Sequence, residues 1–324
     1  MFISTQGTKP PLVSAIIPLL NKKQTLHRAV KSVERAGRDV PVEAIIVDDG
    51  STDGSDVLAE ALAARYSWIT YLSQDNMGAA AARNRACALA KSQILAFLDA
   101  DDEWQPNHAC NLVEGFNVDP SISMVVNSWR KYTDGKRRLI RLFDVNPGVV
   151  QNHFLSMAWG DCYAATSATA CRKKHFLQIG GFDEKLRNGH DHALWGEAAL
   201  CGRIWYTGRA GAIWHQDTSN SLMEAAHHNR HPKYENWLEG KIEQLAGAQP
   251  LGTRHNGVVL KRQMIENLVC DSEITGSQAA AKGVYWLRDE RVAVLEKWGR
   301  ADLAEEIMAI APGGRPAKRL CHRN

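Results

Sequence analysis

The sequence predicts an α/β fold, a mostly parallel sheet covered by helices and followed by a helical C-terminal region. Three observations carry this. Short apolar runs alternate with amphipathic stretches over the first hundred residues, the pattern of parallel strands joined by crossover helices. Acidic residues gather just after those runs, at the edge where open α/β sheets bind ligands. From about Asn220 onward only helical spacing is found.

The elements follow in order. Leu12 to Ile17 is an apolar run ended by Pro18, a buried-strand pattern. Thr25 to Ala36 has helical spacing through Leu26, Ala29, Val30 and Val33. Val42 to Val47 is a second strand, Asp53 to Arg65 a helix with Asp53 as its N-cap, and Trp68 to Leu72 a weaker third strand. Ala79 to Lys91 is an alanine-rich helix, and Ile94 to Leu98 a fourth strand. Pro106 to Val118 reads as a helix. Ser123 to Tyr132 and Arg137 to Phe143 flank the hairpin signal Asp134-Gly135. Ala165 to Cys171 reads as a strand, Lys173 to Ile179 as a short helix closed by Gly180-Gly181, and Asp191 to Leu200 as an amphipathic helix. Arg203 to Tyr206 and Ala212 to Trp214 read as two short strands. Beyond them, Lys261 to Cys270, Trp286 to Trp298 and Ala301 to Ile310 are helical. The expected organisation is 11–220 as the α/β domain, in halves 11–105 and 106–220, then a helical region 221–312 and a basic tail 313–324.

Composition bounds the function. The 324 residues are 44% apolar and 23% charged, ordinary for a globular chain long enough to need no disulfides. The net charge is +3, and Arg315, Lys318, Arg319 and Arg323 lie in the last thirteen residues with no acid among them. The remainder is near neutral, which argues against a nucleic-acid partner. The tail suits either solvation or a peripheral contact with anionic lipid. Seven cysteines, an odd number without metal-finger spacing, read as reduced thiols of a cytoplasmic protein. No signal peptide or membrane span is expected.

The absences matter as much. There is no Gly-rich dinucleotide fingerprint, P-loop, nucleophile elbow or zinc-protease motif. His227, His228 and His231 lack an acid or cysteine at ligand spacing and read as a solvated helix face. Trp159, Trp195, Trp205 and Trp214 suit sugar faces or core. Two acid clusters stand out, Asp48-Asp49 after the second strand and Asp99, Asp101 and Asp102 after the fourth. Three carboxylates within four residues repel one another unless a cation or hydrogen-bond donors compensate. A hard divalent cation fits such oxygens and takes its remaining ligands from water and phosphate.

Four ordered stretches carry a resemblance: Val13 to Pro18, Ile46 to Asp53, Asn76 to Asn84, and Phe97 to Asp102. Gly180 to Glu184 and Asp191 ahead of Leu194-Trp195 continue it. Together they resemble a family 2 glycosyltransferase with the GT-A fold, a three-layer α/β/α sandwich. The resemblance covers about residues 11 to 220. It implies that Pro18, Asp49 and Arg83 border the nucleotide, that Asp99 and Ala100 meet the nucleotide-sugar, and that Asp101 binds Mn2+ or Mg2+. It implies Asp191 as general base and His215 as a second metal contact. His190 and Trp195 would lie on the acceptor side.

Two departures qualify it. Leu20 stands where many relatives carry an aromatic that stacks on the base, and His190-Asp191 stands where many carry Glu-Asp. The implied function is metal-dependent, inverting transfer from a UDP-sugar to a hydroxyl of a glycan or glycolipid in surface polysaccharide synthesis. A single base without a protein nucleophile gives one displacement and hence inversion. The alternatives are a retaining GT-A transferase, a sugar-nucleotide synthesising enzyme, and a non-catalytic sugar-nucleotide or glycan-binding protein. The C-terminal helices would pack on the acceptor side or pair with a second subunit in a homo-oligomer.

Overall fold

A computed structural model describes residues 10–133, 136–140, 147–150, 153, 164–186 and 189–215. The chain divides into two compact units, residues 1–150 with 163–234, and residues 151–162 with 235–324. Every described residue except His153 belongs to the first unit. The C-terminal helices, the basic tail, the three clustered histidines, Trp159 and the Asp134-Gly135 turn lie outside the described residues.

The first half alternates as expected: β1 (Val13–Leu19), α1 (Lys23–Ala36), β2 (Val42–Asp48), α2 (Ser55–Arg65), β3 (Ile69–Ser73), α3 (Ala79–Leu89) and β4 (Ile94–Phe97). The second half holds β5 (Glu103–Trp104), α4 (His108–Val118), β6 (Ile122–Thr133), β7 (Lys136–Ile140), β8 (Gly148–Val149), β9 (Thr169–Arg172), α5 (Lys173–Ile179), α6 (His190–Cys201) and β10 (Arg203–His215). One ten-stranded sheet runs in the order β3-β2-β1-β4-β9-β6-β10-β5, with β7 on β6 and β8 on β10. Its first four strands are parallel. β9 then enters antiparallel to both β4 and β6, and β6 and β10 are parallel again.

The helices cover the sheet for the reason their sequences give. α1 buries Leu26, Ala29, Val30, Val33 and Ala36, one face at helical spacing. α3 buries Ala80, Ala81, Ala82 and Ala86, small side chains that let its backbone approach the sheet closely. The central strands are buried on both faces, and Ala15, Ile16, Ile17, Ile45, Ile46 and Leu95 have no exposed surface. Each large aliphatic side chain so buried contributes about 1.5–3 kcal/mol.

Three local expectations are corrected. Pro18 does not end β1, which continues to Leu19. Alternate residues of a parallel strand bond to opposite neighbours, and Ile16 accepts from Leu98 on the β4 side. Pro18 shares that side, beyond the last paired position of β4, so its missing N–H breaks no ladder bond. The two short strands after α6 are one strand, β10, bent by irregular pairing between Tyr206 and Ala212, with Gly208 at φ 68°. Gly54, not Asp53, is the N-cap of α2. Asp53 instead accepts the backbone N–H of Ser55 and that of Lys23, tying the starts of α2 and α1 together.

Gly211 marks the tightest place in the second half. A Cβ there would lie 2.5 Å from His108 Nδ1 and 2.6 Å from Asn127 Cβ. These two buried side chains hydrogen-bond each other at 3.1 Å. Gly211→Ala is therefore expected to destabilise the chain by about 1–3 kcal/mol through overpacking. A lowered midpoint in urea unfolding, followed by circular dichroism, checks this; an unchanged midpoint would refute it.

Candidate active site

The acid clusters sit at the C-terminal edge of β2 and β4. After β2, Asp48 accepts the Ser51 backbone N–H at 3.1 Å and its hydroxyl, so Asp48-Asp49-Gly50-Ser51 closes into a turn. Gly50 adopts φ 81° there. Asn21, itself at φ 52°, donates its N–H to Ser51 Oγ and accepts the Thr52 N–H, which ties the β1–α1 loop to this turn. Asp49 points the other way. Its Oδ1 accepts from Gln74 Nε2 and the Met77 N–H, and its Oδ2 from the Gly78 N–H, each at 2.8 Å. It thereby orders the loop into α3 and sits at the positive end of that helix.

The three acids after β4 avoid mutual repulsion by facing three different partners. Asp99 pairs with Arg83 Nη2 at 2.5 Å. Asp101 pairs with Lys22 Nζ at 2.7 Å. Asp102 is buried and accepts the Ser167 hydroxyl at 2.5 Å and the His215 backbone N–H at 3.1 Å. Burial, reinforced by Asp99 and Asp101, pushes the Asp102 carboxyl well above its usual range. Burial also raises Asp99, against the pull of Arg83. The backbone of this loop is pinned from α1: Thr25 Oγ1 donates to the Ala100 carbonyl at 2.9 Å and Arg28 Nη2 to the Asp101 carbonyl at 2.5 Å.

Arg83 is the hub. Besides Asp99 it reaches His190 Nε2 through Nη1 at 2.7 Å, and its guanidinium lies 5.5 Å from the centre of the Phe182 ring. The guanidinium can only donate, so Nε2 of His190 is the acceptor and the ring is neutral with its proton on Nδ1. Burial, then the Arg83 charge, lowers His190 to about 4, against the opposing pull of Asp191. A folded-state value below the ordinary 6.5 means that its contribution to stability is present above pH 6.5 and is lost as pH falls towards 4. Nitrogen NMR of labelled imidazole is expected to show His190 as the Nδ1–H tautomer and untitrated down to about pH 5. A midpoint near its ordinary value would refute the buried pairing.

Asn84, next to Arg83, explains the glycine pair Gly180-Gly181. It donates to the Phe182 carbonyl at 2.9 Å and accepts the Phe182 N–H at 2.8 Å. Gly181, at φ 82°, passes so close that a Cβ would lie 2.6 Å from Asn84 Oδ1.

Asp191 opens α6. Its Oδ2 accepts from Thr166 Oγ1 at 3.1 Å and its Oδ1 from the His192 N–H at 2.9 Å. Burial favours the neutral acid, but His192, His190, the His192 N–H and Arg83 together outweigh it and lower the carboxyl to about 2. The side chain keeps 25% exposure, so an ionised oxygen remains reachable from solvent. Thr166 and Ser167 belong to one 3-10 turn, Thr166–Ala168, which therefore holds Asp191 and Asp102 together.

Not every expected site residue stands where the sequence suggested. Pro18, Asp49, Asp99, Asp101 and Asp191 lie at or just after strand ends or at a helix start along this edge, and Arg83 reaches it from the second turn of α3. Ala100 is buried, with its carbonyl already taken by Thr25. Trp195 is fully buried against Phe97, and its Nε1 donates to the Ala164 carbonyl at 3.2 Å. It is core and offers no face to an acceptor, because α6 turns it onto the sheet. His190 turns its Nε2 to Arg83. His215 directs Nε2 to Glu103 Oε1 at 2.9 Å, not to Asp101. Glu103 is also held by Arg35 at 3.1 Å. Lys22 and the Thr166-Ser167 pair were missed. The signal for Lys22 was present, since Lys22-Lys23 directly follows the β1 loop that ends at Asn21. Thr166 and Ser167 carried none.

Among the described residues no helix is long and apolar enough to cross a membrane. The four cysteines among them, Cys87, Cys110, Cys171 and Cys201, are free thiols.

Comparison with known proteins agrees with this geometry. The profile of Glycosyl transferase family 2 matches residues 14–180. An uncharacterized glycosyltransferase of Nostoc sp. is 29% identical over 66% of this chain and 67% of its own length. The succinoglycan biosynthesis protein ExoO of Rhizobium meliloti is 28% identical over 64% of this chain and 61% of its own. In two further curated relatives, both from Escherichia coli, the match spans 35% and 27% of their length. The crystal structure of S. aureus TarS 1-349 in complex with UDP-GlcNAc superposes with a TM-score of 0.61 at 15% identity, covering 91% of this chain and 90% of that one. That likeness establishes the fold, GT-A. With more than half of its length inside the family profile, the chain belongs to glycosyl transferase family 2 and is a glycosyltransferase.

Proposed function

We propose that the chain is a metal-dependent, inverting transferase that moves a sugar from a UDP-sugar to a hydroxyl of a glycan or glycolipid in surface polysaccharide synthesis. One observation carries the reading. A carboxylate held ionised and partly open, Asp191, lies on the same Arg83-centred network as the acid loop Asp99 to Asp102. UDP-GlcNAc in the TarS structure supports the donor class, and ExoO supports the acceptor class.

Asp49 suits the base end of a donor. Its Oδ2 accepts one hydrogen bond and has capacity for a second, from the imide N–H of uracil. Arg83 suits the diphosphate as a planar, permanently charged fork. Asp101 suits a divalent cation. It is a hard oxygen donor, and its partner in the protein is already a cation, Lys22. Among the described residues no group of three or more His, Cys, Asp or Glu side chains is arranged to hold a metal. Asp101 would therefore hold Mn2+ or Mg2+ together with phosphate oxygens and water. When bound, the cation supplies charge stabilisation to the departing diphosphate.

The chain's own groups handle the proton. The acceptor oxygen forms a bond to the anomeric carbon as the bond from that carbon to the diphosphate oxygen breaks. The hydroxyl proton passes to Asp191, which Thr166 and the His192 N–H keep oriented. Displacement of solvent from the exposed quarter of Asp191 by the acceptor raises its basicity at that moment.

The test is a thermal-shift panel of UDP, GDP, CMP and dTDP, each with Mn2+, Mg2+ or EDTA. Ligand at a hundred times its Kd stabilises a native protein by about 2.7 kcal/mol. A metal-dependent rise with UDP is expected. No rise with any nucleotide under either metal would overturn the donor reading. Inversion is checked on the product, whose anomeric configuration NMR reads directly.

A further inference from the structure

We infer that the β6–β7 hairpin is a docking site for a phosphate group carried by the acceptor, held by Arg130 and Arg137 on the face and edge of the sheet where Asp191 stands. This rests on the reading of Asp191 as the base and deepens it by naming the chemical class of the acceptor.

The sequence makes the hairpin basic. Residues 130–140 contain Arg130, Lys131, Lys136, Arg137 and Arg138 against one acid, Asp134. Neither strand contains an acid. In register Lys131 stands opposite Arg138, and Arg137 lies diagonal to Arg130, a separation of about 7–8 Å. Like charges this close across a ladder destabilise it. An oxyanion bound between them offsets that repulsion.

Topology brings the hairpin to the site. β9 is antiparallel to both β4 and β6, so β6 runs with β4 and ends at the same edge as the acid loop. β9 pairs with β6 from Met124 to Val126. Beyond that, β10 holds one side of β6 as far as Tyr132. β7 therefore takes the other side, from Trp129 to Thr133, in line with β9. The Thr166–Ala168 turn, directly before β9, thus lies next to the end of β7. That turn holds Asp191. Arg130 stands four residues beyond Val126, about 13 Å along the strand.

Alternation decides which cations share the side of the base. Ala96, Ala170 and Val125 are on one side of the sheet through their register. Phe97, Ser128, Arg130 and Tyr132 are on the other. There Phe97 packs on Trp195 of α6, the helix that Asp191 opens. Arg137 stands opposite Tyr132 and shares its face. Lys131 and Arg138 fall on the α4 side, where Asn127 bonds His108. The two cations on the side of the base are thus both arginines, whose planar forks match phosphate oxygens bidentately. Tyr132, half-buried beside them, adds a phenolic donor. A flat anionic surface would draw on both faces of the hairpin. Two arginines and a tyrosine on the base side favour a single phosphate on the substrate.

The test uses the full chain saturated with UDP and Mn2+, so that the donor site is filled. Calorimetry compares three probe sets built on glucose, galactose and N-acetylglucosamine. Octyl diphosphate esters represent a lipid-linked source, phosphodiester-bridged disaccharides a polymer source, and octyl glycosides carry no charge. One charged set is expected to bind more tightly than the glycosides, and its identity names the source. Arg130→Gln and Arg137→Gln should each weaken that set by about 10–100-fold, the span of a hydrogen bond to a charged group. Both variants should keep the rise in melting temperature with UDP and Mn2+, which shows that they fold. Lys131→Gln and Arg138→Gln, on the other face, should retain the phosphate preference. Equal losses on both faces would overturn the proposal, and binding to phosphatidylglycerol but not phosphatidylcholine vesicles would then assign the hairpin to a membrane surface. Absence of a phosphate preference in the wild type, or unchanged affinity in both arginine variants, would overturn it and leave the donor reading intact. No UDP binding by the wild type would overturn the donor reading and this proposal with it.

Discussion

Asp191→Asn lowers the transfer rate by about 10²–10⁴-fold, the range expected when a general base is removed, and leaves UDP binding intact. The isosteric amide keeps an acceptor oxygen for Thr166 or the His192 N–H, so the turn and the start of α6 survive. What it loses is the anion that takes the proton. The carboxyl stands at about 2, below its ordinary 3.8. Its contribution to stability is therefore complete above pH 3.8 and is lost as pH falls through about 2. Two consequences follow from the sign. The variant is somewhat less stable at neutral pH, while its rise in melting temperature with UDP and Mn2+ is retained. In the wild type, an acid limb above pH 4 in the pH profile of kcat/KM, which reports the free enzyme, would come from another group. Near-normal turnover of the variant, measured by release of UDP, would exclude Asp191 as the base.

Asp101→Asn removes the metal-dependent part of UDP binding. The dissociation constant of UDP in Mn2+ is expected to rise by about 10–100-fold, within the usual span of coupling between two ligands. In EDTA the same variant should bind UDP as well as the wild type or better. The reason is electrostatic. Asp101 neutralises Lys22 at 2.7 Å, and an amide removes a negative charge from beside the phosphates. A simple collapse of the loop would weaken binding under both conditions. The sign in EDTA thus separates loss of a metal-holding acid from loss of structure. Titration calorimetry in both buffers reads it, and unchanged affinity in Mn2+ would remove Asp101 from the metal reading.

Much of the fold was legible because its signals are local. The apolar runs at β1, β2 and β4 and the helical faces of α1 and α5 are written in consecutive residues, and the structure places them within a few positions of expectation. The acids after β2 and β4 were legible for the same reason. The departures come from context. Pro18 stays in its strand because the side it faces has no ladder left to break. Residues 203–215 are one strand because β6 beside them is long enough to pair with the whole stretch across its irregularities. Trp195 reads as sugar platform or core, and only its packing on Phe97 decides for core.

The site divides in the same way. The chemistry available was legible in consecutive residues: carboxylates at strand ends, an arginine and asparagine in the alanine-rich helix, and an aspartate opening a later helix. The sequence alone could not say which charge neutralises which. Arg83 meets His190 across 107 positions, and His215 meets Glu103 across 112. Lys22 meets Asp101 only because the β1–α1 loop and the loop after β4 leave adjacent strands on the same side of the sheet. Periodicity reports the face on which a residue lies, and hence its burial. The partner of a charged side chain depends on how loops from separate strands approach one another, a distance that no local pattern encodes and that only the assembled sheet decides.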